Sequence, residues 1–250
     1  MVISVERLPE RLHAALLGAA AGEAAAGAAG GVRQLLELCD SLGQRGGLDI
    51  DDLTARGLDQ PPGGGPAALL LRAIPIALLS PLDRPRLRQG AHRCASLGGA
   101  DEGTAMTAVA AAVLAADLTR FDLDTALVRL RQTLLEEAPA ALHLRLRPHP
   151  AGRTPRAGDD PGAALQLAIT TLDRTADMPA AIEAAAAEAG DSAPAAVALT
   201  GALAGARSGL QEVGASWHDA VPARARIDGL VERLRSHLSN RAAGRASAGT

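Results

Sequence analysis

Residues 14–31 read AALLGAAAGEAAAGAAGG, and this stretch decides the fold class. Its small residues Gly18, Gly22, Ala26 and Gly30 recur every four positions, which places them on one face of a helix. A glycine inside a helix costs about 1 kcal/mol relative to alanine. Repeating glycine on one face therefore indicates close packing against a neighbouring helix.

A second segment, residues 194–209, reads PAAVALTGALAGARSG and repeats the same spacing at Gly201, Gly205 and Gly209. Because a glycine face lets two helix backbones approach closely, we expect this face and the Gly18 face to lie in the core. The sequence alone does not decide which neighbour each face packs against.

The composition around these two segments favours helices throughout. Of the 250 residues, 48% are hydrophobic but only 1% are aromatic, so Leu, Val and Ala must fill the core. Ala and Leu are strong helix formers, while the residues that favour strands are scarce. We predict an all-α, compact single domain over residues 1–240 with a disordered tail at 241–250.

Periodicity and loop residues place the helices. A short helix capped by Asp49 or Asp51 ends near Gly57, and residues 138–162 form a long loop with a possible edge strand at 142–147. The other predicted helices cover 9–30, 32–42, 67–79, 84–97, 103–118, 123–137, 163–173, 179–189, 194–209 and 222–238.

Charge and hydropathy exclude several classes of function. The formal net charge of −3 offers no field for binding a phosphate backbone, so we expect no nucleic-acid partner. Residues 14–31 are too weakly hydrophobic to span a bilayer, and the first residues lack the positive charge of a signal peptide. Cys39 and Cys94 form no metal-binding spacing. We interpret them as reduced thiols of a cytoplasmic protein.

Several short motifs together resemble the ADP-ribosylglycohydrolases. LLGAAAGEA at 16–24 resembles the LxGxxxGDA helix that opens that family, and GDS at 190–192 with GALAGA at 201–206 resembles its GGDTDT…GALAGA signature. GGLDIDDL at 46–53 is similar to the family's GxFDPEDL turn. The last piece, Gly64-Gly65 followed by LRAIPIA at 71–77, resembles GNGxxMRIAPLAL. Their order and spacing agree over about residues 8–220.

The resemblance implies an all-α fold with two adjacent Mg²⁺ ions in a central cleft. In that family, carboxylates and Thr hydroxyls hold the metals, and a metal-activated water cleaves the bond between ADP-ribose and an Arg, Ser or other acceptor. Hard oxygen ligands suit Mg²⁺, and two dications in proximity need several carboxylates. ADP-ribose or an ADP-ribosylated protein would be the binding partner.

The resemblance also locates the family's ligands in this sequence. The TDD triplet that opens the family's second helix falls on Ala29-Gly30-Gly31, and the hydroxyl that follows it falls on Val32. No oxygen ligand remains in this set. The family's THGD segment falls on residues 97–100, which lack its His and its hydroxyl.

The second ligand set is partly retained. When the family's DTD is aligned on Gly190, Asp191 and Ser192 match its first Asp and its Thr, and its second Asp is replaced by Ala193. When the alignment runs without a gap from Gly201, the two aspartates of the family fall on Ser192 and Pro194. Asp191 or Ser192 would be a residual metal ligand, or a cap for the helix that follows. Glu23 stands where the family carries an Asp and is a candidate cleft-lining carboxylate.

These replacements predict a degenerate family member without the dinuclear Mg²⁺ site, and we assign no catalytic residue. Mg²⁺ binds only if the family site is partly retained. One alternative is an active hydrolase that uses Asp191, Glu23 and either Asp159 or Asp160, which otherwise form a turn before a helix. A second alternative is an Ala-rich helical scaffold without a small-molecule ligand. The sequence specifies neither an acceptor nor an oligomeric state.

Overall fold

The computed structural model describes residues 8–27, 30–134, 142, 160–189, 193–210, 219 and 221–247, with the backbone alone for 237–247. The described residues form α-helices joined by turns, one 3-10 helix at Pro66–Ala68, and no strand. The all-α prediction is therefore confirmed. The α-helices are α1 Leu8–Ala25, α2 Gly31–Arg45, α3 Ile50–Ala55, α4 Leu69–Leu79, α5 Arg84–Leu97, α6 Glu102–Leu118, α7 Leu123–Leu134, α8 Pro161–Arg174, α9 Met178–Ala189, α10 Pro194–Ser208 and α11 Arg224–Ser247.

Aspartates define where many of these helices begin. The carboxylate of an Asp just before the helix accepts a hydrogen bond from a backbone N–H of the first turn, at 2.8–3.1 Å. Such a cap satisfies a donor that has no partner inside the helix. The aspartates in this role are Asp49 at α3, Asp83 at α5, Asp101 at α6, Asp122 at α7, Asp160 at α8 and Asp177 at α9.

Helix α6 lies at the centre of the domain. Every residue from Thr104 to Leu118 is buried, and the helix contacts α4, α5, α7, α8 and α10. Small side chains dominate it, so the surrounding helices reach it on all sides.

Cys39 and Cys94 are both buried and unpaired, and burial raises the pKa of the Cys94 thiol to about 12. Among the described helices, none has the length and apolar character needed to cross a membrane.

The two glycine faces pack against each other. A Cβ added to Gly18 would overlap the carbonyl oxygen of Gly201, and one added to Gly201 would overlap that of Gly18. A Cβ on Gly22 would lie 2.5 Å from the Val197 oxygen, and one on Gly205 would overlap the Ala14 carbonyl. The expectation of close packing in the core is confirmed, and α1 and α10 are the pair.

Several helix ends differ from the predicted ones. Helix α1 ends at Ala25 and not at residue 30, because Gly27 adopts a left-handed conformation with φ 66°. Helix α2 continues through Gly43 and ends before Gly46, whose φ of 71° forms the C-cap. Helix α11 runs to Ser247 instead of 238. The division into a domain at 1–240 and a tail at 241–250 stays a prediction.

The possible strand at 142–147 lies outside the described residues apart from Leu142. This residue is buried and helical, so the strand does not begin there. A buried leucine in a helical turn can pack against the core on one side, which the alternating pattern alone did not distinguish from a strand.

Candidate functional site

The ends of α1, α2 and α10 meet at a glycine-rich loop that precedes the 3-10 helix. A Cβ on Gly30 would lie 3.5 Å from the Gly63 oxygen, and a Cβ on Gly64 would lie 3.9 Å from the Ala195 Cβ. The loop therefore contacts the start of α2 on one side and the start of α10 on the other. These are the two helix starts on which the metal-ligand sets of the family fall according to the resemblance.

Glu23, near the end of α1, interacts with the first turn of α2. Its Oε1 accepts hydrogen bonds from the backbone N–H of Gly31 at 2.6 Å and of Val32 at 3.2 Å. Glu23 is half-buried, and its charge lies at the positive end of the helix dipole. The candidate cleft-lining carboxylate thus has a structural partner in its own chain.

The residues that open α2, from Gly30 to Val32, offer no side-chain oxygen of their own. Gly30 is the N-cap residue and makes no side-chain hydrogen bond, and Gly31 and Val32 follow it. The φ of Gly30 is 152° with ψ −42°, a conformation that residues with a Cβ rarely adopt. An aspartate at this position would be strained, so the backbone here suits glycine and not a carboxylate ligand.

The apolar side chains around this turn are small and close. A Cβ on Gly31 would lie 3.3 Å from Leu71 Cδ1 and 3.6 Å from Ala68 Cβ. A Cβ on Gly64 would lie 3.2 Å from the same Ala68 Cβ. Around Gly31 and Gly64, the neighbours are therefore mostly alkyl groups, and the Glu23 carboxylate is the one charged group that these contacts include. Alkyl groups are poor neighbours for a hydrated dication.

Asp191 and Ser192, the predicted residual metal ligands, lie outside the described residues, so their role stays a prediction. The structure does give the residue that begins α10. Ala193 is the N-cap residue and makes no side-chain hydrogen bond, and Pro194 occupies the first turn. The N-cap position therefore lies one residue after Ser192, and the expectation that Asp191 or Ser192 caps the helix stays a prediction.

Of the two remaining candidate acids, Asp159 and Asp160, the structure describes Asp160. Asp160 caps α8 and accepts a hydrogen bond from the Ala163 N–H at 3.0 Å, which is the structural role the sequence offered for it. Asp159 lies outside the described residues. Within the described part of the chain, no three His, Cys, Asp or Glu side chains come together in a group that could hold a metal ion.

Arg72 holds the segment that leads into the glycine-rich loop, a role that its sequence context does not predict. Its Nη1 donates to the Leu58 oxygen at 2.6 Å, and its Nη2 donates to Gln34 Oε1 at 2.6 Å and to the Gln60 oxygen at 3.1 Å. Only 1% of Arg72 is exposed, and burial lowers the pKa of its guanidinium. The one indication in the sequence is that Arg72 is the only charged residue of α4.

The end of α5 is shaped around the same guanidinium. A Cβ on Gly98 would overlap Arg72 Nη1 and would lie 2.5 Å from Leu69 Cδ2. A side chain at residue 98 would therefore displace Arg72 from the loop. This contact shows that the present packing of Arg72 requires glycine at position 98.

Comparison of the sequence with models of protein families identifies the family of this chain. The family model described as ADP-ribosylglycohydrolase matches residues 32–244, which is most of the chain. The chain belongs to the ADP-ribosylglycohydrolase family. The match begins at Val32, so the LLGAAAGEA segment of α1 lies before it.

Solved structures also resemble this chain, and they bear on its fold. One of them, an ADP-ribosylglycohydrolase-related protein complex, aligns with a TM-score of 0.76 and 21% sequence identity. The alignment covers 93% of this chain and 99% of that one, so the two share the fold over nearly their whole length. No curated protein matches the sequence significantly.

Proposed function

We propose that this protein is a non-hydrolytic member of the ADP-ribosylglycohydrolase family that acts by recognition and not by metal-dependent catalysis. The observation that carries the proposal is the pair of hydrogen bonds from Gly31 and Val32 to Glu23 Oε1. Where the resemblance expects a helix start rich in metal ligands, this chain has a glycine turn capped by a carboxylate of another helix.

The residues at this helix start do not fit a dinuclear Mg²⁺ site. Two Mg²⁺ ions need several carboxylates in near-octahedral arrangements. Ala29, Gly30, Gly31 and Val32 supply no side-chain oxygen, and the nearby Glu23 already accepts two backbone hydrogen bonds. Asp191 and Ser192 alone would leave most of the metal charge unneutralised.

The alternative is an active hydrolase. Two of the acids that it would use lie in the described part of the chain, and both have structural roles. Glu23 caps α2 and Asp160 caps α8. One oxygen of each carboxylate accepts backbone hydrogen bonds, which fixes both side chains at helix starts and favours a structural role for them over the activation of water. Asp191 and Asp159 would have to supply the chemistry by themselves.

An assay for ADP-ribose release tests this proposal directly. Proteins modified on Arg or on Ser are incubated with the full chain in millimolar Mg²⁺ or Mn²⁺, beside an active family member. We expect no release above that from substrate alone. Turnover comparable to that of the active enzyme, lost in Asp191→Ala, would establish the hydrolase alternative.

Titration calorimetry with free ADP-ribose separates recognition from a purely structural role. Saturable heat with one equivalent of ADP-ribose supports a family-type ligand site that binds without cleavage. Silence up to millimolar ADP-ribose supports the Ala-rich scaffold, for which assembly with another protein is the remaining role. The similar solved structure is that of a protein complex, which is consistent with such assembly.

We also propose a cytoplasmic location. Two buried cysteines that stay unpaired suit a reducing compartment, where disulfides rarely form. Fractionation of the native host, with detection of the endogenous protein, tests this location; recovery in a secreted or envelope fraction would contradict it.

A further inference from the structure

A small cavity lies at the other end of α2, away from the candidate site. It has a volume of about 70 Å³ and lies between the end of α2, α4, α5 and α11. Its apolar wall consists of Leu42, Leu48, Ile76, Leu79 and Leu234. The cavity therefore offers a site for a short alkyl group rather than for a nucleotide.

Two polar groups line the same cavity. Arg86 and Ser80 are both lining residues, and no carboxylate belongs to the part of the lining that the structure describes. The Arg86 guanidinium and the Ser80 hydroxyl make no hydrogen bond or ion pair with any other residue that the structure describes. The nearby Asp83 accepts from the backbone N–H of Arg86 and not from its side chain.

Gly90 keeps the cavity open. It lines the cavity one helical turn beyond Arg86, and a Cβ at this position would lie 2.9 Å from Ile76 Cγ2. Ile76 belongs to the apolar wall, so even an alanine at position 90 would push this side chain and reduce the volume. Glycine lowers the stability of a helix interior, and at position 90 its lack of a side chain preserves the volume of the cavity.

We propose that this cavity binds a short-chain aliphatic monocarboxylate, with its carboxylate on Arg86 and Ser80 and its alkyl chain among the leucines. A guanidinium pairs with a carboxylate through two parallel hydrogen bonds, and a hydroxyl can donate a third. A cavity of about 150 Å³ accommodates the six carbons of benzene, so 70 Å³ suits an alkyl chain of about two to three carbons. The Arg86 side chain is exposed, and a guanidinium at the mouth of an apolar pocket is complementary to such an amphipathic anion.

Titration of the full-length protein with butyrate, followed by ligand-observed NMR, tests the site. We expect saturable binding, and butanamide should bind at least about tenfold more weakly because it lacks the charge that Arg86 recognises. Arg86→Gln should raise the dissociation constant at least about tenfold. The matched control is Arg93→Gln, which removes an exposed arginine of the same helix outside this cavity and should leave the constant within about twofold.

A second variant tests the shape of the cavity without changing charge. Gly90→Ala should weaken butyrate binding while acetate, which has no chain to accommodate, changes little. Thermal melts of each variant establish that it is folded. Absence of saturation below about 10 mM butyrate overturns the proposal. Equal losses in Arg86→Gln and Arg93→Gln also overturn it, since they would indicate general attraction of anions to a basic helix.

Discussion

At the scale of single residues, Glu23 illustrates how one side chain changes what a helix start can bind. The first backbone N–H groups of a helix have no partner within the helix and carry partial positive charge. In this protein the Glu23 carboxylate satisfies two of them at the start of α2, at 2.6 and 3.2 Å. Any other anion at this turn would therefore compete with a group of the protein itself.

Removing this carboxylate should destabilise the fold. We expect Glu23→Ala to lower the free energy of unfolding by about 1–2 kcal/mol, because two N–H groups lose their acceptor and the helix dipole loses its charge. Glu23→Gln keeps a hydrogen-bond acceptor without the charge, so its free energy of unfolding should lie between those of the parent and Glu23→Ala. Urea denaturation measures the effect. Glu232→Ala, at an exposed position of α11, is the control and should stay within about 0.5 kcal/mol of the parent; an equal effect of both would contradict the cap.

The residues that were hard to predict are those whose role depends on a distant partner. The role of Asp49 as a cap could be predicted from its position before a helix. Glu23 was recognised as a candidate, but its partner lies in the next helix, eight residues away. Arg72 bonds to residues 12 to 38 positions away in the sequence. Local spacing cannot reveal such partners, since they depend on how whole helices pack.

At the scale of helices, the pairing of α1 with α10 depends on glycine at the contact. Side chains would hold the two axes 8–10 Å apart in an ordinary helix pair, whereas here backbone meets backbone at Gly18 and Gly201. Close approach increases the number of dispersion contacts, which compensates for the low helix propensity of glycine. The sequence predicted both faces; it could not predict that they face each other.

Even the smallest side chain should disrupt this pair. We expect Gly205→Ala to destabilise the protein by about 1–3 kcal/mol, because its Cβ would overlap the backbone of Ala14 and α1 would have to move. Gly205→Leu should be more severe. Gly63→Ala is the matched control, since a Cβ there meets no atom within 4 Å and the residue is exposed. Thermal melts compare the three; a Gly205→Ala protein that melts with or above the parent would exclude the close contact.

The attachment of α3 to α2 should depend on pH. The Ser41 hydroxyl, the Arg56 guanidinium and Arg45 hold the pKa of Asp52 at about 2, below its ordinary value of 3.8. Because the folded state favours the ionised carboxylate, the stabilisation is complete above about pH 4 and is lost as the pH falls towards 2.

The variant Asp52→Asn should remove this contribution. The free energy of unfolding of the parent should decrease between pH 4 and pH 2 more steeply than that of Asp52→Asn, as measured by urea denaturation at each pH. Asp51→Asn, at an exposed neighbouring position, is the control and should keep the slope of the parent. Identical slopes for Asp52→Asn and the parent would show that Asp52 titrates normally.

At the scale of the whole molecule, composition and periodicity predicted the all-α architecture and most helix positions. A chain of Ala and Leu with one Phe and one Trp has few ways to build a core except by packing helices closely. The exact ends depended on single backbone conformations, such as those of Gly27 and Gly46, that periodicity does not report. Likewise, the missing metal ligands could be located by resemblance, while the glycine turn and the Glu23 cap in their place required the three-dimensional structure.

The proposal that the protein lacks a dinuclear site has a consequence for the stability of the whole protein. A ligand that binds only the folded state stabilises it by RT ln(1 + [L]/Kd), which is about 4 kcal/mol when its concentration is a thousand times the dissociation constant. A tight metal site would therefore raise the melting temperature by several degrees. Since the start of α2 supplies no oxygen ligand from its own side chains, we expect no such increase.

Thermal melts in about 10 mM MgCl₂ and in EDTA, with NaCl matching the ionic strength, measure this consequence. The two midpoints should agree within about 1 °C, and MnCl₂ should give the same result. Matching the ionic strength matters because the ion pairs of Arg56 and Arg226 with Glu37 are screened by any salt. An increase that is specific to the divalent ion and disappears in Asp191→Ala would instead identify a residual metal site at the start of α10. In that case Asp191 would act as a metal ligand despite the glycine turn of α2. This result would contradict the proposal that the protein is non-hydrolytic.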